Sequence, residues 1–161
     1  MTQQLTLWQK MKKIKWLAFL LFFTGLPQQV NANANNKIVC EAKHSLYHGQ
    51  FAIKATYRFI MNDNSGVILI NGTAHLGPER YAISREVYFN YKRQSGDDYL
   101  LTSQRVYTNP IDTLPELLAQ QHYPSFFLKE NKKLNFLINS VNQTDYIISF
   151  VSTPLFYCNG E

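Results

Sequence analysis

A chain of 161 residues, 45% of them hydrophobic, is long enough for one globular domain with a continuous core. Its formal net charge of +5 is unevenly spread, because Lys10, Lys12, Lys13 and Lys15 supply four of the 16 basic residues within residues 1–34, where no acidic residue occurs. The remainder has 12 basic and 11 acidic residues, so we expect no direct contact with nucleic acid.

Residues 1–34 are predicted to be a targeting segment. The lysines precede an apolar run of about eleven residues at 16–26, and residues 32–34 read Ala-Asn-Ala, the small-x-small pattern of a signal-peptidase site. A membrane-spanning helix needs about 20 apolar residues. A cleaved signal peptide is therefore favoured over an N-terminal membrane anchor.

The leader leaves two alternatives open. Translation begins at Met1 or at Met11, since the residues from Met11 onward already form a compact signal-peptide start. The leader is either removed or kept as an anchor. In both cases residues 35–161 are expected to form a single exported domain rich in β-structure.

The two cysteines stand at opposite ends of the predicted domain, as Cys40 and Cys158. Two cysteines in an exported domain indicate a disulfide. In the chain-entropy model, a bond that closes so long a loop contributes about 4–5 kcal/mol. The alternatives are a buried pair of free thiols or a redox pair, and the Cys-x-x-Cys spacing typical of redox pairs is absent.

Apolar and polar residues alternate with a period of two along most of the predicted domain, which indicates half-buried β-strands. Clusters of Gly, Asn, Asp and Ser separate the strands, and short turns of this kind join antiparallel neighbours. The predicted strands are one around Cys40 and those at 51–61, 67–76, 81–91, 99–107, 134–141 and 146–153.

One helix interrupts this pattern. Thr113 and Glu116 have the spacing of a capping box, with Thr113 as the N-cap, and the helix is expected to continue to Gln121 and end before Pro124. The predicted fold is mainly β: an antiparallel curled sheet or barrel-like, lipocalin-like domain with one short helix, closed by one disulfide. A curled sheet with an unpaired edge can accept strands from a partner through backbone hydrogen bonds.

Motifs of catalysis are absent, because the chain contains no Gly-rich phosphate loop, GxSxG, HExxH or SxxK sequence. We therefore expect no catalytic residue, metal site or cofactor. His44 and His48 are four residues apart, but on a strand this places them about 13 Å apart, which disfavours a shared metal. His44, His48, His75 and His122 are candidates for pH sensing, with ordinary surface histidines as the alternative.

Arg85 lies in the middle of a predicted strand, on the same face as apolar neighbours. A buried arginine needs a partner, because an unpaired buried charge is costly. Asp112 or Glu79 are the candidate partners. A structural ion pair is favoured over a ligand site.

Several stretches together resemble the FidL-like and ToxS-like periplasmic accessory proteins, and within that group the second regulatory component of the Psa and Myf fimbrial loci. The resemblance lies in turn, strand and cysteine positions, at 38–42, 64–72, 83–89, 98–103 and 154–158. It covers most of the predicted domain and includes both cysteines.

This resemblance implies a protein on the periplasmic side of the inner membrane. Its partner would be the periplasmic domain of a single-pass, ToxR-type regulator whose cytoplasmic winged helix binds DNA. By stabilising or activating that regulator, it would promote the expression of adhesive fimbriae. The resemblance also implies a barrel able to hold a small amphipathic ligand, and control by pH.

Three other functions compete with this one. The first is an exported β-barrel carrier that binds a small hydrophobic ligand on its own. The second is a fimbrial subunit or chaperone, which is disfavoured because residues 33–36 are too short and polar for a donor strand. The third is an enzyme, disfavoured by the absence of catalytic motifs.

Overall fold

The computed structural model describes residues 37–160, so the predicted leader at residues 1–34 lies outside the described residues. Eight antiparallel strands follow one another around a closed barrel, each paired with its neighbours in the chain. The strands are β1 (Ile38–His48), β2 (Phe51–Asn62), β3 (Ser65–Leu76), β4 (Glu79–Ser95), β5 (Asp98–Thr108), β6 (Lys133–Ser140), β7 (Tyr146–Phe150) and β8 (Thr153–Gly160).

One α-helix lies between β5 and β6 in the part of the chain that the structure describes. This helix, α1, spans Glu116–His122 and is followed by a 3₁₀ turn at Ser125–Phe127. Both elements pack on the barrel interior, because Ala119, Phe126 and Phe127 are buried. The prediction of a mainly β, barrel-like domain with one short helix is confirmed.

The core lies inside the barrel and follows from the period-two sequence pattern. Along β2, alternate side chains are buried and the intervening ones are half-buried or exposed. Each large apolar side chain removed from water in this way contributes about 1.5–3 kcal/mol. The buried residues of β2 are Phe51, Ile53, Ala55, Tyr57, Phe59 and Met61.

The barrel closes where its first and last strands meet. Cys40 of β1 and Cys158 of β8 form a disulfide, with Cα atoms 5.3 Å apart, and both residues are fully buried. The predicted bond is thereby confirmed. It agrees with an oxidising, extracytoplasmic compartment for this domain.

The β1–β8 junction is paired along only part of its length. Its register contains two residue pairs, Cys40 with Gly160 and Glu41 with Asn159. The residues from Ala42 to His48 pair with β2 but have no register partner in β8. Closure therefore pairs one end of β1 with β8 and leaves the second half of β1 without a register partner in β8. We call this second half, Ala42–His48, the open seam.

The last predicted strand, 146–153, is wrong in its extent. Val151 and Ser152 form a turn that separates β7 from β8, and Val151 has a φ of 59°. A β-branched residue rarely adopts this left-handed conformation, so its apolar character conceals the turn. Pro154, near the start of β8, lies at a position that tolerates proline.

The predicted capping box is also absent. α1 begins at Glu116, with Pro115 at the N-cap and no side-chain capping bond. The hydroxyl of Thr113 instead accepts a hydrogen bond of 2.9 Å from the Ala82 amide. This contact fastens the segment before α1 to β4.

Within residues 37–160, neither the helix nor the helical turn is long and apolar enough to cross a membrane.

Candidate functional site

An apolar cavity of about 180 Å³ lies inside the barrel beside the open seam and beneath α1. Its walls come from six elements and the segment after α1, which meet only because the sheet closes. The lining residues are His44, Leu46, Ile53, Tyr57, His122, Tyr123, Pro124, Phe127, Leu134, Phe136, Phe150, Leu155 and Phe156. Among residues 37–160, no lysine, arginine, aspartate or glutamate lines it, so the site suits an uncharged, mainly apolar guest.

His44 is a half-buried polar residue in this aromatic wall. Its ring lies edge-on to Phe156 at 5.3 Å and to Tyr57 at 5.9 Å between centroids. Within residues 37–160, its buried Nδ1 atom has no hydrogen-bond partner. Burial lowers the pKa of His44, so the imidazole is held neutral over more of the acidic range.

Two further histidines meet at the rim of the same cavity. His122, the last residue of α1, stacks on Phe51 with ring centroids 3.8 Å apart. Its ring centroid lies 5.6 Å from that of His48. Partial burial, and secondarily the neighbouring His48, lower the pKa of His122. Three of the four predicted histidines therefore gather at one end of the barrel.

The fourth histidine, His75, is not part of this group. It lies on β3 beside the buried Ala74, where alternation directs successive side chains to opposite faces. Its register partners are Ala52 and Arg80. His75 therefore lies on the outer face of the barrel.

A buried polar network fixes the wall of the cavity nearest α1. Tyr57 donates a hydrogen bond of 3.3 Å to the hydroxyl of Tyr123, and burial raises the pKa of both phenols. The Arg85 guanidinium lies 6.0 Å from the Tyr123 ring centroid and makes an ion pair of 2.8 Å with Asp112. The predicted structural ion pair of Arg85 is confirmed, with Asp112 as the partner. Glu79 instead accepts a bond from Tyr81.

Asp112 connects this network to the segment that precedes α1. Besides Arg85, its carboxylate accepts hydrogen bonds from the amides of Ser84, at 3.0 Å, and Leu114, at 3.1 Å. The Asp112 side chain is only 1% exposed. Arg85 and Asp112 thereby hold the segment that positions the helix over the cavity.

Exposed apolar side chains surround the open seam. Tyr47 of β1 is 66% exposed, Val151 in the β7–β8 turn is 69% exposed, and Tyr157 of β8 is 52% exposed. Phe150 both lines the cavity and is 39% exposed, so it marks the side on which the cavity meets solvent. Isolated exposed apolar residues are common, but several on adjoining strands suggest an interaction surface.

A larger depression on the molecule has a different chemistry. A groove of about 780 Å³ at the far end of β2 is lined mainly by polar and charged groups, among them Asp63, Arg93 and Lys133. Among the described residues, no group of three or more His, Cys, Asp or Glu side chains is arranged to hold a metal ion. The cavity beside the open seam is thus the best-defined candidate site for an apolar guest.

Sequence reasoning identified His44, His48 and His122 individually but missed the aromatic residues that join them. Tyr57, Tyr123 and Phe156 are far apart in the chain, and Tyr57 lies 66 residues from Tyr123. The alternation of apolar and polar residues can indicate that such side chains are buried. It cannot indicate that they share one cavity, which depends on how the barrel closes.

Comparison with known proteins assigns the barrel to a family. A search of curated proteins finds no match to this chain. The family model for the YqeJ C-terminal domain matches residues 37–158, which include all of β1 and both cysteines. The chain belongs to the YqeJ C-terminal domain family.

Proposed function

We propose that this protein is a periplasmic accessory subunit of a membrane-bound transcription regulator, of the FidL-like and ToxS-like type. Within that type it is most similar to the second regulatory component of the Psa and Myf fimbrial loci. It binds the periplasmic domain of a single-pass, ToxR-type regulator, stabilises or activates it, and so promotes the expression of adhesive fimbriae. The protein acts on the periplasmic side of the inner membrane.

The open seam is the observation that carries this proposal. A strand that lacks a neighbour on one side presents backbone N–H and C=O groups to a partner strand, whose own groups then complete the ladder. Tyr47 and Val151 flank this edge with exposed apolar surface. An extended segment of the regulator would gain backbone hydrogen bonds from the seam and apolar contacts from its borders.

Mass action then explains the regulatory effect. A partner that binds only the folded form of the regulator stabilises it by RT ln(1 + [L]/Kd), which is about 2.7 kcal/mol at a hundredfold excess over Kd. That amount is a large share of the stability of a small periplasmic domain, commonly about 5–15 kcal/mol. The accessory protein would raise regulator levels without contacting DNA.

Co-purification tests the proposal. The full-length chain is expressed with the neighbouring gene product that carries an N-terminal winged helix and one transmembrane segment, and the complex is captured by a tag on that partner. Tyr47→Glu places a charge beside the seam and is expected to raise the Kd for the regulator at least tenfold. Leu117→Glu is the matched control, because Leu117 is 69% exposed but lies on α1.

The proposal would be contradicted if the tagged partner did not capture the wild-type protein from detergent-solubilised membranes. Equal weakening by Tyr47→Glu and Leu117→Glu would reject the seam as the docking edge.

The cavity favours a second function, that of an exported carrier which binds a small hydrophobic ligand on its own. Its described lining is mainly apolar and aromatic and carries no formal charge on Lys, Arg, Asp or Glu, which suits such a ligand. Ligand binding by the isolated protein, with no partner captured, would favour the carrier over the accessory subunit.

A further inference from the structure

We propose that the cavity beside the open seam binds a small, uncharged aromatic molecule with one hydroxyl group, and that His44 is the hydrogen-bond partner of this hydroxyl. The inference deepens the carrier function proposed above and does not depend on the regulatory partner. It names the site, the chemical class of the ligand and the residue that selects it.

The size of the cavity sets the size of the guest. An engineered apolar cavity of about 150 Å³ binds benzene. The cavity here measures about 180 Å³, enough for a single substituted ring. Steroids and long-chain lipids are too large for this space. Pro124, Phe127 and Phe136 provide flat or aromatic walls against which a ring can pack.

The polarity of the cavity sets the charge of the guest. The described residues of its walls include no acidic residue, lysine or arginine, and burial lowers the pKa of His44 and His122. An ionised carboxylate or amine would lose its hydration without gaining a charged partner, which is costly. A neutral molecule avoids this cost.

A single hydroxyl matches the polar groups inside the cavity. The hydroxyls of Tyr57 and Tyr123 bond to each other, whereas His44 Nδ1 is buried and lacks a partner among residues 37–160. A buried polar atom without a partner costs about 1–3 kcal/mol. A hydroxyl can donate to an unprotonated ring nitrogen or accept from a protonated one, so it satisfies either tautomer of a neutral imidazole.

The test compares two probes of nearly the same shape, p-cresol and toluene, by isothermal titration calorimetry on the oxidised full-length protein. The wild-type protein is expected to bind p-cresol about fivefold more tightly than toluene, the ratio that one net hydrogen bond supplies. His44→Leu is expected to bind toluene unchanged and to lose the preference for p-cresol. His44→Gln keeps a hydrogen-bonding group and is expected to retain part of it.

A second pair of variants locates the site. Leu155→Trp fills the cavity from β8 and is expected to abolish binding of both probes, whereas the exposed Leu117→Trp leaves binding unchanged. Circular dichroism confirms folding, and Leu46→Phe replaces Leu155→Trp if the latter does not fold.

Three results would overturn the inference. They are absence of binding to the folded wild-type protein, an undiminished p-cresol preference in His44→Leu, and undiminished binding in the folded cavity-filling variant. Each is independent of co-purification with the regulator, so failure here is distinguishable from failure of the accessory function.

Discussion

The same two strands meet in two different ways along the β1–β8 junction. At the Cys40 end they are joined by a disulfide and by two residue pairs in register. At the His44 end they are unpaired and border a cavity. The sequence explains the difference. The β2 and β3 residues in register with Cys40 are Phe59 and Ile68, whereas those in register with His44 are Ala55 and Gly72. Large side chains fill the closed end, and small ones leave space at the open end.

This contrast separates stability from recognition within one barrel. The closed end contains a covalent bond and fully buried apolar side chains, including Ile68 at 0% exposure and Met61 at 1%. The open end contains an unpaired edge, an unsatisfied nitrogen and exposed apolar residues. We expect substitutions at the closed end mainly to unfold the protein and substitutions at the open end mainly to change what it binds.

The largest expected effect comes from removing the covalent closure. The bond joins residues 118 apart in sequence, and loop entropy for that span predicts a loss of about 4–5 kcal/mol in the double variant Cys40→Ala/Cys158→Ala. Urea unfolding monitored by circular dichroism measures this loss. Dithiothreitol should destabilise the wild-type protein similarly and leave the double variant unaffected. A loss below about 1 kcal/mol would show that the strands close without the bond.

The second largest effect is expected from the ion pair of Arg85 and Asp112, which holds the segment that positions α1 over the cavity. Arg85→Met leaves the buried carboxylate of Asp112 unpaired, which should cost about 3–5 kcal/mol. Arg85→Met/Asp112→Asn removes the uncompensated charge and keeps one acceptor oxygen. That oxygen can serve the Ser84 amide or the Leu114 amide but not both, because the two bond to different oxygens of Asp112. The double variant should be more stable than the single variant in the same urea titration. If the double variant is no more stable, the loss is due to packing of Arg85.

A matched pair of aliphatic truncations compares the two ends directly. Ile68 is fully buried at the closed end, so Ile68→Ala should cost about 2–5 kcal/mol. Leu46 is half-buried on the cavity wall, where part of its surface already lacks packing partners, so Leu46→Ala should cost less than half as much. Thermal or urea unfolding gives both values. Equal losses would contradict the view that the open end is loosely packed.

The smallest expected effect is a dependence of stability on pH. The pKa values of His44 and His122 are lowered in the folded protein, so the unfolded chain binds protons more readily. Their contribution to stability is complete above the unfolded value of about 6.5 and is lost as the pH falls through the folded values. Urea unfolding should give a lower free energy of unfolding at pH 5.5 than at pH 7.5. This difference should be smaller in His44→Leu than in the wild-type protein.

The role of histidines in regulation needs a separate measurement. Replacing His44, His48, His75 and His122 together by Gln should abolish a pH-dependent change in fimbrial expression. His75→Gln alone is the control, because His75 lies away from the cavity. An unchanged response in the quadruple variant would eliminate pH sensing by these residues.

Period-two alternation was sufficient to predict most of the strands, and the compartment predicted the disulfide. The eighth strand was missed because Val151 occupies a turn position where glycine or asparagine is usual. The sequence predicted that Arg85 forms an ion pair but left Asp112 and Glu79 as alternative partners. The structure identifies Asp112, because the partner depends on where the segment between β5 and α1 returns to β4.

The cavity could not be predicted, because its walls come from both halves of the chain. His44 and Phe156 approach to 5.3 Å between ring centroids although more than a hundred residues separate them. Local patterns record which side chains face inward. They do not record which strands become neighbours when a sheet closes, or how far that closure extends along the strands.

The closure of the barrel also dictates an order of events in folding. Neighbouring strands from β1 to β8 pair antiparallel with short sequence separations for most steps, whereas the β1–β8 junction and its disulfide join residues 118 apart. Loop closure over so many residues is the slowest kind of contact to form. A chain that emerges from its N-terminus can assemble its first hairpins early, but Cys40 cannot form its native bond until Cys158 has also emerged. Because the chain contains only these two cysteines, a wrong pairing during that interval could be made only with another molecule.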